Sequence, residues 1–270
     1  MSLDIDLSAK RVLVVGGSAG IGRSAALAAA AAGATITVVG RSAEKLAEVV
    51  TTAGSGTGVS ADVTDPDRCR ELVGEAVDAM GGIDMLLYAT GVSPLAPLEE
   101  VDAETWHRVI ATNAIAPALV TQAALPHMGD NSVIAFLSSI TVGSGHYGLG
   151  PYAASKAALD RTVRSWRMEH PDQRFVCMAI GDTLGTDFSR DFDMEQAAAL
   201  TPKWVAASVI YKHQMESADL GRTITEFLAM LLAHPKLTIP ELTIVPTGPM
   251  LTMDDVQQLM DTLAATLPAT

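Results

Sequence analysis

Tyr152 and Lys156 stand four residues apart in Tyr152-Ala153-Ala154-Ser155-Lys156, thirteen residues beyond Ser139. On a helix, residues four apart share a face, so a lysine ammonium placed there favours the ionised form of a neighbouring phenol. That would move a phenol with an ordinary pKa of about 10 toward neutrality. An acid or base tuned to the working pH transfers protons most effectively. The expected chemistry is therefore hydroxyl-based proton transfer, although such a pair also arises on ordinary solvated helices.

The elements that must position this pair begin with an apolar strand, Val12-Leu13-Val14-Val15, which stops at Gly16-Gly17-Ser18-Ala19-Gly20-Ile21-Gly22. An alanine-rich segment from 23 to 32 follows. Strand, glycine loop and helix in that order aim backbone amides and the positive end of a helix at a pyrophosphate. The spacing is Gly-x-x-x-Gly-x-Gly and differs from the commoner Gly-x-Gly-x-x-Gly fingerprint.

Together these residues resemble the short-chain dehydrogenase/reductase family, with its Thr-Gly-x-x-x-Gly-x-Gly near the N-terminus and Tyr-x-x-x-Lys in mid-chain. The resemblance covers nearly the whole sequence. It implies a Rossmann-type, doubly wound α/β fold, with a mostly parallel seven-stranded sheet in the order 3-2-1-4-5-6-7. Strands are expected near 11–16, 35–40, 57–61, 83–88, 131–137, 173–179 and 240–245, and residues 1–270 are expected to form one domain. By position the resemblance makes Tyr152 the acid/base, Lys156 its lysine, Ser139 the serine that holds the substrate oxygen, and Asn113 the helix asparagine. The neighbouring Ser138 is the alternative to Ser139.

The cofactor is read from the end of the second strand, Ala34 to Val39, and the Gly40-Arg41-Ser42 after it. An acidic residue there would bind a ribose 2′-hydroxyl and repel a 2′-phosphate, and none is present. Arg41 and Ser42 suit a phosphate, so NADP(H) is expected over NAD(H). An ordinary exposed arginine is the other reading of Arg41. The resemblance further implies cofactor contacts from Gly16, Ser18, Ala19, Gly20, Ile21 and Gly22, from Asp62 and Val63 around the adenine, and from Thr90, Gly91, Leu184 and Thr186. Asp62 has a second reading as a cap for the helix opened by Asp65-Pro66.

Three places depart from the family pattern. Val15 stands where threonine is usual, Tyr88-Ala89-Thr90-Gly91 replaces Asn-Asn-Ala-Gly, and Gly181-Asp182 replaces Pro-Gly. The lost side-chain amides leave the sheet around residue 88 without its usual ties. Pro117 lies four residues after Asn113 in a helical stretch from 102 to 127, which frees the Asn113 carbonyl and bends the helix. In the family, water held at that carbonyl extends a proton path through the lysine and the ribose to the tyrosine.

The segment 187–215 carries Phe188, Phe192, Met194, Trp204 and Met215. An apolar lid, core packing and a subunit contact are all open for it. His146 and Tyr147 lie in the loop after Ser139, within reach of a substrate. Residues 253–265, with Val256, Leu259, Met260 and Leu263 at near-helical spacing, predict a last helix.

Composition fits a compact α/β enzyme: 270 residues, 49% of them hydrophobic, with a net charge of -13 and a pI near 4.7. That charge argues against a nucleic-acid surface. Two cysteines far apart, Cys69 and Cys177, give no metal spacing and suggest a reducing compartment. Apolar runs broken before membrane-spanning length, and no secretory pattern, lead us to expect a cytoplasmic protein away from membranes. The family likeness implies a homodimer or homotetramer that interconverts an alcohol with a small to medium, largely apolar ketone or aldehyde. A catalytically silent NADP(H)-binding subunit, and an isomerase or lyase on the same scaffold, are the alternatives.

Overall fold

The computed structural model describes residues 5–258. Seven parallel strands form one sheet: β1 (Arg11–Val15), β2 (Thr35–Gly40), β3 (Thr57–Ser60), β4 (Ile83–Tyr88), β5 (Met128–Ser139), β6 (Arg174–Ile180) and β7 (Glu241–Ile244). Their spatial order is β3-β2-β1-β4-β5-β6-β7. The order reverses between β1 and β4, which opens a crevice at the strands' carboxyl ends.

The strands read as continuous Val/Ile/Leu runs because both faces are covered. On one face α1 (Gly20–Ala31), α2 (Ala43–Ala53) and α8 (Ser217–Ala233) enclose residues such as Val14, Ile36, Leu87, Met178 and Ile224. On the other, α3 (Pro66–Met80), α5 (Ala116–Ala124) and α6 (Gly150–Glu169) cover Leu13, Leu72, Phe136, Leu159 and Phe175. The alanines of α1 let α8 approach closely enough for Thr225 to donate to the Ala25 carbonyl at 3.1 Å. Below the crevice, Arg11 clamps Asp84 with Nε at 2.8 Å and Nη2 at 2.9 Å, pinning the start of β1 to that of β4.

The stretch expected to be one bent helix is α4 (Ala103–Ile110), a π turn (Ala111–Ile115) and α5. In the π turn the Ala116 amide donates to Ala111, five residues back. One residue further along, the amide that Pro117 lacks falls opposite the Thr112 carbonyl. That carbonyl instead accepts the Tyr88 hydroxyl at 2.9 Å. The gap left by the proline is therefore displaced by one residue from the expected position, because the turn is wider than an α turn.

Contrary to the expectation of short apolar runs, the Ala103–His127 helical stretch is long and apolar enough to cross a membrane by length and composition. Half of its most apolar window is buried within the protein. The expected last helix is seen over 253–258, and Leu259, Met260 and Leu263 lie outside the described residues.

Candidate active site

A cleft of about 930 Å³ runs along the carboxyl edge of the sheet. Its floor at the β1 end is the glycine loop. Gly16 has a φ of +92°, and a Cβ there would stand 2.7 Å from the Thr90 nitrogen. A Cβ on Gly22 would overlap the Gly16 carbonyl oxygen, so the loop must fold tightly onto the start of α1. The α1 N-cap, Ala19, makes no side-chain cap bond. The first-turn amides are thus left without a side-chain acceptor, and they face the cleft at the positive end of a twelve-residue helix. A Cβ on Gly20 would lie 3.4 Å from the Cα of Thr186, so Thr186 closes over this loop from the far side. These features fit a dinucleotide pyrophosphate.

Arg41, Ser42, Asp62 and Val63 line the same cleft past β2 and β3. The Ser60 hydroxyl donates to the Arg41 carbonyl at 3.0 Å and fixes the turn that presents the guanidinium. Ser42 is the N-cap of α2, accepting from Lys45 N at 3.3 Å, so part of its expected role is structural. Lys45, which was missed in the sequence, adds a second cation to this wall. Its signal was its place one helical turn after Arg41. Asp62 does not cap α3, since Asp65 does. Its carboxylate accepts from Thr64 N at 2.9 Å and Thr64 Oγ1 at 2.7 Å, and these bonds hold its pKa below the usual value.

Thr90, Gly91, Leu184 and Thr186 also line the cleft, as do Ser18, Ala19 and Ile21, whereas Gly22 and Asn113 stand behind its wall. Asn113 is fully buried. Its Oδ1 accepts from Val92 N at 2.9 Å, and its Nδ2 donates to Val92 O and to Ser155 Oγ, each at 2.9 Å. It thereby joins the loop after β4 to α6. Ser155 in turn donates to the Tyr152 carbonyl at 2.7 Å. The sequence showed Ser155 only as the residue before Lys156.

Replacing the family's amides did not disturb the sheet. Ala89 N donates to Val15 O at 2.7 Å, and Tyr88 pairs in register with both Val15 and Phe136. The Tyr88 hydroxyl supplies the tie to the π turn that the missing side chains would have made elsewhere. Tyr88→Phe is expected to cost about 1–3 kcal/mol, the penalty for leaving the buried Thr112 carbonyl without its donor. Urea unfolding of the two proteins would check this.

At the β5 end, Ser139 rather than Ser138 meets the tyrosine. Ser139 Oγ accepts from Thr141 N at 3.2 Å and from Thr141 Oγ1 at 3.0 Å, which leaves its own proton to donate outward. Tyr152 is 8% exposed and Lys156 is 3% exposed. Burial pushes the phenol up to about 12, with the neighbouring Ser139 hydroxyl acting in the opposite direction.

The expected lowering of the phenol by Lys156 does not operate in this arrangement. The lysine Nζ lies 5.7 Å from the ring centroid and donates to the Leu137 carbonyl at 2.7 Å, so it faces the ring rather than the hydroxyl. Burial brings the lysine itself down to about 8.

Phe188 packs edge-on against Tyr152 at 5.3 Å and against Phe192 at 5.4 Å. Phe192 and Trp204 join Leu95, Leu149 and Leu200 in a small apolar cluster apart from the sheet core. Met194 is 75% exposed and Met215 packs on the sheet core, so the five apolar residues do not act as one surface. His146 lines the cleft. Tyr147 does not; it is exposed beneath the Lys203 ammonium. Gly181 continues the sheet through its amide to Ile244 O at 2.9 Å, and Asp182 turns into the cleft.

Residues 10–197 match the short chain dehydrogenase family, and the chain belongs to it. It is 34% identical over 165 residues to the short-chain dehydrogenase/reductase FrzI of Cladobotryum sp, covering 59% of this chain and 64% of that protein. It is 33% identical over 180 residues to the hydroxynaphthalene reductase-like protein Arp2 of Metarhizium brunneum, covering 64% of this chain and 67% of the relative. A short chain dehydrogenase from Burkholderia cenocepacia, solved in complex with NADP, superposes with a TM-score of 0.76 at 25% identity, over 88% of this chain and 97% of that one. A blue fluorescent protein from a metagenomic library, solved with NADPH, gives 0.75 at 25% identity over the same shares.

Proposed function

We propose that this protein is an NADP(H)-dependent oxidoreductase that interconverts an alcohol and a ketone or aldehyde. The observation that carries the reading is the Ser139 hydroxyl, held by Thr141 and turned toward the buried Tyr152 phenol at the crevice end of β5. The likeness to a short chain dehydrogenase solved with NADP, and to a blue fluorescent protein solved with NADPH, supports the NADP(H) part of the same reading. The nicotinamide, when bound, supplies or accepts the hydride.

The remaining work belongs to the chain. In reduction Tyr152 gives its proton to the carbonyl oxygen, and burial keeps the phenol protonated until then. Ser139 donates to the same oxygen, which holds the carbonyl in line and stabilises the charge developing on it. Lys156, held by Leu137 O, lies beside the phenol ring and lines the cleft, where its ammonium would hold the cofactor ribose. Asn113 holds the Val92 loop and, through Ser155, the turn of α6 that carries Tyr152. Phe188, Phe192, Leu149 and Trp204 give the substrate a largely apolar surround, and segment 187–215 acts as its lid. The protein works as a cytoplasmic homodimer or homotetramer.

Arg41 and Lys45 favour the 2′-phosphate form of the cofactor. Arg41→Asp is expected to lower kcat/KM with NADPH and raise it with NADH, shifting the preference by about tenfold or more. An unchanged ratio overturns the cofactor assignment. The reaction itself is tested by following NADPH absorbance with a panel of ketones and aldehydes. Net loss supports the reading, and binding without turnover favours a silent binding subunit.

A further inference from the structure

Asp182 occupies the position where the family pattern carries glycine, and it lines the cleft. Ser139 pairs in register with Ile180, so Asp182 lies two residues further along the neighbouring chain. At roughly 3.3 Å per residue and about 4.8 Å between strands, the two Cα atoms are about 8 Å apart. That is the span of a small substrate lying across the site.

The carboxylate is positioned rather than loose. Its Oδ2 accepts from Tyr211 N at 2.9 Å, and the Asp182 carbonyl accepts from Met215 N at 3.0 Å, so the segment returning from α7 (Met194–Ala206) fixes it from both ends. Among the described residues no lysine, arginine or histidine forms an ion pair with it, and only Oδ2 has a hydrogen-bond partner. His146, whose charge acts on Asp182 through space and opposes the effect of burial, makes its hydrogen bonds to Ser144 and the Val209 carbonyl rather than to the carboxylate. Burial raises the Asp182 pKa, the mark of a carboxylate short of donors.

Two hydroxyls beside the cleft, those of Ser93 and Ser138, are buried with no partner among the described residues, so neither supplies Asp182 with a further donor. A polar group buried without a partner is costly unless something else satisfies it.

We propose that Asp182 binds a hydrogen-bond donor on the substrate distinct from the reacting carbonyl, so that the preferred substrate is a carbonyl compound carrying a hydroxyl or ammonium group. This rests on the oxidoreductase reading above and adds a polar subsite to an otherwise apolar surround. A site built to pair with a polar group rejects the analogue that lacks it more strongly than an apolar pocket rejects a changed methyl.

The test is calorimetric titration of the NADP⁺-loaded protein with cyclohexane-1,4-diol, 4-aminocyclohexanol and 4-methylcyclohexanol, repeated on Asp182→Asn. Asparagine keeps an oxygen for Tyr211 N, and NADP⁺ affinity and the melting temperature report whether the variant is folded. The native protein is expected to prefer the diol or the amino alcohol over the methyl compound by at least about tenfold. In the variant that ratio falls to about one. A preference confined to the amino alcohol assigns an ammonium donor, and one shared by both assigns a hydroxyl. Equal affinities for all three alcohols in the native protein, binding of none of them, or a ratio unchanged in Asp182→Asn each overturns the proposal. Failure to bind NADP⁺ would instead overturn the oxidoreductase reading, and the subsite with it. Ketone turnover by a protein that shows no preference among the alcohols would sink the subsite alone.

Discussion

Tyr152→Phe is expected to bind NADPH as the native protein does and to lose carbonyl reduction by about 10²- to 10⁴-fold. The substitution removes one hydroxyl from a side chain that is nearly fully buried and leaves the ring in place. The edge-on contact with Phe188 at 5.3 Å therefore survives, as does the approach of the Lys156 ammonium to the ring face. What disappears is the proton beside Ser139, whose own hydroxyl can hold a carbonyl oxygen but has no base to restore its proton. Fluorescence titration with NADPH and steady-state rates on a reactive ketone measure the two effects separately. Near-normal reduction by the variant would mean that Tyr152 is not the acid.

The same pair gives the reaction its pH dependence. Tyr152 stays protonated up to about 12, so the acid for reduction is available through the whole neutral range. Lys156 loses its proton near 8, and with it goes the ammonium that would hold the cofactor ribose. Reduction is thus expected to hold steady below about pH 8 and to fall above it. For stability the two signs differ. The lysine pKa is depressed in the fold, so the unfolded chain binds more protons between about 8 and 10.5 and the native state gains stability as pH rises through that window. The tyrosine pKa is raised, so stability falls between about 10 and 12.

Asn113→Ala is expected to destabilise the protein by about 1–3 kcal/mol, because the part-buried Val92 N and Val92 O and the buried Ser155 hydroxyl all lose a partner. The effect on turnover should exceed what unfolding alone explains. Asn113 is the link between the loop carrying Gly91 and the helix carrying Tyr152 and Lys156, and a shift of about 1 Å in that geometry can cost on the order of 10²-fold. Hydrogen exchange gives a readout that bulk stability does not. The Val92 amide should exchange much faster in the variant while amides in the middle of β5 keep their order of protection. Slow exchange at Val92 would mean that the loop is held by something other than Asn113.

Much of the fold was legible because its signals are local. The runs that read as strands at 35–40 and 83–88 form strands over those same residues, and the glycine loop between β1 and α1 follows from a spacing that leaves no room for side chains. Tyr152, Lys156 and Ser139 were picked out by their order, their spacing and the family resemblance, and all three line the cleft. The local signals failed where burial or a distant partner decides the outcome. Lys156 was expected to lower the phenol; desolvation of both groups reverses that, and sequence spacing says nothing about depth. Pro117 was visible, but the π turn that moves its missing bond to Thr112 depends on a tyrosine 24 residues earlier.

Asp182 shows the same division. As a letter in the chain it was only a departure from Pro-Gly, with no direction attached. Its meaning came from the Tyr211 amide, 29 residues later, and from its making no ion pair among the described residues. Chain chemistry alone thus determined the alternation of strand and helix and the tight glycine turn between β1 and α1, since these rest on backbone sterics and on contacts within a few residues. Folding in three dimensions settled which groups are dry, which are paired and which face the cleft, because desolvation and hydrogen-bond completion depend on neighbours brought together from far along the chain.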